Sequence, residues 1–216
     1  MSASGPPDAR DRDTEERILE AAHTMFLRHG TAGARMQEIA REAGVNHAML
    51  HYYFRSKDRL AETVFRRAAG EFFPGVLQRL GADLPLAEKV AHVVAYELEH
   101  LTRRPYLPGY LLSELTHHPE RAEQLIAMAS GQSVDVVRER VLGVLRAQLA
   151  AEQAAGRMRP ISAEQFLVNL IALCVFPFAA QPMVRVLLGR DAAGFAAFIA
   201  ERRESLPAFF LAGLRP

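Results

Sequence analysis

The chain has 216 residues, half of them hydrophobic and 24% charged, with a net charge of +1. This is enough chain for one or two domains with a sizeable core, and the near-neutral balance does not by itself mark a nucleic-acid binder. The single cysteine, Cys174, excludes an intrachain disulfide and suits a reducing cytosol.

Residues 1–12 are polar and contain Gly5, Pro6 and Pro7. They read as a disordered arm and lack the apolar stretch of a signal peptide. Asp13 caps a first helix, with Glu16 three residues on in a capping box. Ile18, Ala22, Met25 and Phe26 form its core stripe. Its acidic first turn and His29 near its end both suit the helix dipole.

Met36 to Glu42 forms a short helix with Met36, Ile39, Ala40 and Ala43 on one apolar face. Gly44 supplies the left-handed turn that ends it. Asn46 caps the next helix. Leu50 and Phe54 are four apart and pack that helix on the one before it. Ala48 and Tyr52 point the other way, beside Met49 and His51, and His47 is exposed in the first turn. The pair is a helix-turn-helix, and its second member can enter a major groove about 12 Å wide.

At these residues the chain resembles the DNA-binding domain of the TetR family of bacterial repressors. The matching pieces run from Ile18 to Leu60. They are the first helix ending in Phe26 and His29-Gly30, then Ile39-Ala40, Ala43-Gly44-Val45, Leu50, and Tyr53-Phe54-Arg55-Ser56-Lys57-Asp58-Arg59-Leu60. Arg35 and His51 stand where the family usually has Thr and Tyr. From Arg35 to Arg67 there are seven basic and four acidic side chains, a net of +3, a mild basic bias that also fits a solvated face.

Ser56 caps a long helix from Lys57 to about Leu80, and Lys57 at its positive end suits a phosphate. Residues 81–85 are a break, and Leu86 to Leu101 is helical. Arg104 to Gly109 is a loop or kink, Tyr110 to His117 a short helix stopped by Pro119, and a further turn or two runs to about Ala129. Ser133 to Ala155 is a long helix with Val134, Val137, Val141, Val144, Leu145 and Leu149 as its stripe. After a turn at 156–160, Ser162 and Gln165 form a capping box. The helix they start, 162–181, is apolar on almost every face, which predicts packing on its own core and on a partner. Its run Phe166 to Ala180 is shorter than the roughly 20 residues that span a bilayer. The last helix runs from about Asp191 to Gly213 and is kinked at Pro207. No alternating strand pattern is present.

The expected architecture is all-α. A disordered arm (1–12) precedes a three-helix DNA-binding domain with the helix-turn-helix (13–60) and a larger helical ligand-binding and dimerisation domain (61–216). Asn46, His47, Ala48 and Met49, with Gln37, are placed for direct readout: amides suit adenine edges, and Ala and Met suit the thymine methyl. Arg35, His51, Tyr52, Tyr53 and Lys57 are placed for phosphates. The resemblance implies a homodimer, paired through the helices near 162–181 and 191–213, on a palindromic operator in double-stranded DNA. It also implies release by a small-molecule effector held between residues 85 and 181. The candidate lining is Tyr96, His100, Tyr106, Tyr110, Glu114, His117, Met128 and Phe176. That mixture suits a mostly apolar ligand with one polar group.

No phosphate-cradling Gly-x-x-x-x-Gly-Lys, His-Glu-x-x-His or Gly-x-Ser-x-Gly occurs, so the chain reads as a cytoplasmic regulator and not an enzyme, with no cofactor and no membrane association. The competing class is a helical small-molecule- or metal-binding protein without DNA function. It rests on two Glu-x-x-His pairs, Glu97 with His100 and Glu114 with His117, a spacing that puts both side chains on one helix face.

Overall fold

The computed structural model describes residues 9–216. Among the described residues there are eleven α-helices and no strand. They divide into two compact units, one up to Ala68 and one from Ala69. The expected boundary at 60 falls short of this because α4 (Lys57–Leu80) begins inside the first unit. Leu60, Ala61, Val64, Phe65 and Ala68 are all buried, and Arg67 pairs with Glu16 of the first helix at 2.6 Å.

The first unit is built from α1 (Ala9–Gly33), α2 (Met36–Glu42), α3 (His47–Phe54) and the start of α4. Residues 1–8 of the expected arm lie outside the described residues. The expectation that 9–12 belong to that arm and that Asp13 caps the helix is corrected: α1 begins at Ala9, and Asp13 lies inside it. Ala9, Arg10 and Arg12 include good helix formers and nothing after Pro7 interrupts them, so the local capping signal at 13 is overridden. The helical stretch is broken at Gly30, whose φ of 68° and ψ of 163° need a residue without a Cβ. Ile18, Ala22 and Phe26 of α1, Ile39 of α2, Leu50 of α3 and Leu60 of α4 form the core.

The second unit holds the end of α4 with α5 (Leu86–Arg103), α6 (Leu107–His117), α7 (Arg121–Ser130), α8 (Val134–Ala154), α9 (Ala163–Ala179), α10 (Gln181–Leu187) and α11 (Ala192–Ala212). Its centre is α5, which packs against both α9 and α11. Val90, Val93, Val94, Leu98 and Leu101 are buried at helical spacing. Glu97 is buried in the same stripe. Three helix starts are capped as their sequences require. Ser133 Oγ accepts from Val136 N, Ser162 Oγ from Gln165 N at 3.2 Å, and Asp191 Oδ1 from Gly194 N at 2.7 Å.

The expected helix 162–181 ends at Ala179, and α10, which the sequence reading did not anticipate, leaves at 79°. Pro182 has no N–H for the carbonyl of Phe178, and its ring crowds that carbonyl, so the axis must turn there. Nor is α9 buried all round: Phe166, Leu170, Cys174 and Phe178 are buried, while Val168 and Phe176 are exposed. α11 carries the equally exposed Phe209 and runs through Pro207 as one helix. No single described helix is long and apolar enough to cross a membrane.

Candidate nucleic-acid interface

The turn between α2 and α3 follows from three residues. Gly44 sits at φ 65°. Its N–H bonds the carbonyl of Arg41, and the N–H of Val45 bonds that of Ala40. Those are the two crossed bonds of a Schellman ending, which satisfy the orphan carbonyls of α2. Asn46 then opens α3 with its Oδ1 accepting the Met49 amide at 2.7 Å.

α3 is anchored by Leu50 and Phe54, both buried, while Asn46, His47, Ala48, Met49, His51 and Tyr52 face solvent. Tyr52 is 78% exposed. A large aromatic left that open on an otherwise well-packed helix is an exception that a contact partner would explain. The His47 and His51 rings meet edge-on, 4.5 Å between centroids. His51 Nδ1–H donates to the Arg55 carbonyl at 3.1 Å, which leaves Nε2 outward. Tyr53 is half-buried beside Tyr52 and donates its hydroxyl to Asp11 at 2.9 Å. Burial first, then the Asp11 carboxylate, raises its phenol above the ordinary range. Arg55 ends α3 with a positive φ of 53°, rare outside glycine, and Ser56 Oγ caps α4 by accepting from Arg59 N.

A shallow hollow beside the start of α2 is lined by residues 32–37 and Lys57. Arg35 and Gln37 are exposed there. Lys57 is half-buried and gives its ammonium to the carbonyls of Ala32 and Ala34, at 3.2 and 3.4 Å. The structure therefore places Arg35, Gln37 and Lys57 together at one hollow, and Asn46 with five α3 residues on the outward side of that helix. Tyr53 is committed to Asp11. Arg55 and Arg59 are also exposed and were not among the expected contacts; only their basic charge signalled them.

The eight expected effector residues range from buried to exposed. Tyr96 and His100 share one aromatic cluster, with ring centroids 5.4 Å apart. Tyr110 is buried. Glu114 is buried and accepts from Arg121 at 2.5 Å. Tyr106, His117, Met128 and Phe176 are exposed. The His117 ring bonds the Ser113 carbonyl. Among the described residues no three His, Cys, Asp or Glu side chains are grouped to hold a metal.

Comparison with known proteins agrees with this geometry. Residues 18–64 match the model of the bacterial regulatory proteins of the tetR family, and residues 87–206 match that of the tetracyclin repressor-like C-terminal domain. The transcriptional repressor NicS of Pseudomonas putida is 30% identical over 168 residues, covering 76% of this chain and 74% of that protein. The repressor SCO4008 of Streptomyces coelicolor is 29% identical over 204 residues, covering 86% and 90%. The fold matches the crystal structure of the regulator SCO4942 from Streptomyces coelicolor with a TM-score of 0.60, at 21% identity over 94% of this chain and 99% of that one. The chain belongs to the tetR family of bacterial regulatory proteins, and it is a DNA-binding transcriptional regulator and not an enzyme.

Proposed function

We propose that this protein is a homodimeric repressor that holds a palindromic operator and leaves it when a small molecule occupies its second unit. The observation that carries the DNA side is the outward face of α3, where His47, Met49 and Tyr52 stay exposed while Leu50 and Phe54 fix the helix from behind. In this reading Gln37, Asn46, His47, Ala48 and Met49 read base edges. Arg35, His51, Tyr52 and Lys57 hold phosphates, and Tyr53, expected to do the same, is held by Asp11. A two-fold dimer would set two such helices in successive major grooves roughly 34–36 Å apart.

The exposed apolar face of α9 and α11 supports the pairing. Phe176 and Phe209 line one open, mostly apolar hollow with Ala172, Leu173 and Phe210, and a patch of that kind marks an interface. We assign residues 13–60 to DNA binding and 61–216 to effector binding and dimerisation, in the cytoplasm where the DNA lies. Release follows if the effector binds the two states with different affinity.

Selection from a pool of random duplexes tests this. The expected product is an inverted repeat with half-site centres one helical turn, or a multiple of it, apart. Enrichment of no sequence, or of a single undivided site, would overturn the dimeric reading.

A further inference from the structure

We propose that the effector site takes an organic cation, with Glu97 as its counter-ion and Phe72, Tyr96 and His100 as its aromatic wall; this rests on the ligand-released reading above. Glu97 on α5 is completely buried, and neither carboxyl oxygen has a hydrogen-bond partner. The weakly polar Cys174 thiol of α9 faces it. Among the described residues no basic side chain pairs with it. Arg202 of α11 donates Nε and Nη2 to the Leu173 carbonyl at 3.2 and 2.9 Å. Lys89 lies two turns earlier on α5, about 12 Å along the axis. Arg79 of α4 lies over the Tyr96 ring, 3.9 Å from its centroid. The pKa of His100 is lowered by burial and then by Arg103.

An isolated ionised carboxylate in such a place is expensive, and burial raises the Glu97 pKa to about 8. A leucine would fill this core position at no such cost. A buried acid faced by a thiol, with no base paired to it among the described residues, is instead what a cationic ligand requires.

The surroundings suit the same guest. Phe72 stacks with Tyr96 at 6.3 Å, and His100 lies 5.5 Å from Phe72. Cations bind over aromatic faces, and the Tyr96 ring already carries a guanidinium on one side. Tyr96 and His100 are half-exposed, while Glu97 lies on the buried face of the same turn. His100 Nε2 is a second buried polar atom without a partner. Tyr96 closes the cluster against α4: its hydroxyl donates to the Phe72 carbonyl at 3.2 Å, and its ring occupies the space a Cβ at Gly75 would fill. A cation that enters here ionises Glu97, so one proton leaves to solvent for each cation bound. It also displaces the Tyr96 ring from α4, the helix that begins at the DNA-binding turn.

Calorimetry on the full-length protein tests this with tetramethylammonium, tetraethylammonium and benzyltrimethylammonium. Benzyl alcohol and phenylacetate serve as neutral and anionic controls. At least one cation is expected to bind, releasing about one proton per site, with affinity falling about tenfold from pH 7.5 to 6.5. Glu97→Gln, which removes the titration and leaves a neutral amide, should raise the melting temperature at pH 7.5 and weaken cation binding more than tenfold. Phe72→Leu should weaken it severalfold without altering the proton count. Binding of none of the three cations, binding without proton release, equal binding to Glu97→Gln, or controls that bind as tightly would each overturn the proposal. Operator binding by the same sample separates the two readings. A protein that holds DNA and no cation retains only the regulator, whereas one that holds a cation and no operator retains only the site.

Discussion

Asn46 Oδ1 accepts the Met49 amide at 2.7 Å, so the residue placed to read a base at the head of α3 also holds the first turn of that helix. The two roles separate by substitution. Asn46→Ala should cost about 1 kcal/mol of stability, and Asn46→Ser should retain it, since serine caps nearly as well. Both should weaken operator binding, because neither keeps the side-chain amide. Thermal unfolding beside DNA titration reads the two effects apart. Full affinity in Asn46→Ser would leave Asn46 a cap only.

Tyr52 and Lys57 should behave differently although both are assigned to phosphates. Tyr52 touches little of its own chain, so Tyr52→Ala should change stability by less than about 0.5 kcal/mol while costing about 1 kcal/mol of DNA affinity at any sequence. Lys57 bonds two carbonyls that precede α2. Lys57→Ala should lower the salt slope of binding by about one and also lower the melting temperature. A variant that changes the melting temperature alone would make Lys57 a structural tie.

Burial raises Glu97 from its ordinary 4.5 to about 8. The folded protein therefore keeps a proton that the unfolded chain releases as pH rises through this window. Stability should be greatest below the unfolded value and should fall between about pH 4.5 and 8, by up to about 1.4 kcal/mol per pH unit from this group, and level off above. Urea unfolding at pH 5, 6.5 and 8 measures it. Glu97→Gln should flatten that slope, and equal slopes in both proteins would contradict the assignment.

Phe176 and Phe209 are each more than half exposed. If they form the dimer face, Phe176→Glu and Phe209→Glu should leave the helical content unchanged and shift sedimentation from dimer to monomer. Operator affinity should fall with the loss of the second half-site. A dimer that survives both changes would place the interface elsewhere.

The first unit was legible because independent local signals coincide within a few residues. Gly44 needs its left-handed turn, Asn46 its cap, and Leu50 with Phe54 their spacing, and each points to the same two helices. Where one signal stood alone it misled. Asp13 with Glu16 resembles a helix start, yet α1 begins four residues earlier because nothing opposes it. The apolar run of α9 concealed the turn at Ala180 because Pro182 acts on the carbonyl four residues back, just inside the run. The effector residues were least legible. Aromatic and histidine side chains on α5 and α6 carry no mark of whether they turn inward together. Glu97 was visible only as half of a Glu-x-x-His pair, since its lack of a partner is a property of α9 and α11 as much as of α5.

The most direct test of the DNA reading is fluorescence anisotropy with the duplex upstream of the protein's own gene, at two salt concentrations, against a scrambled duplex of equal length. Tight binding that survives competitor, weakens steeply with salt and is lost with His47→Ala and Tyr52→Ala together is the result expected of α3 as a recognition helix. Specific binding that the double substitution leaves unchanged would contradict it.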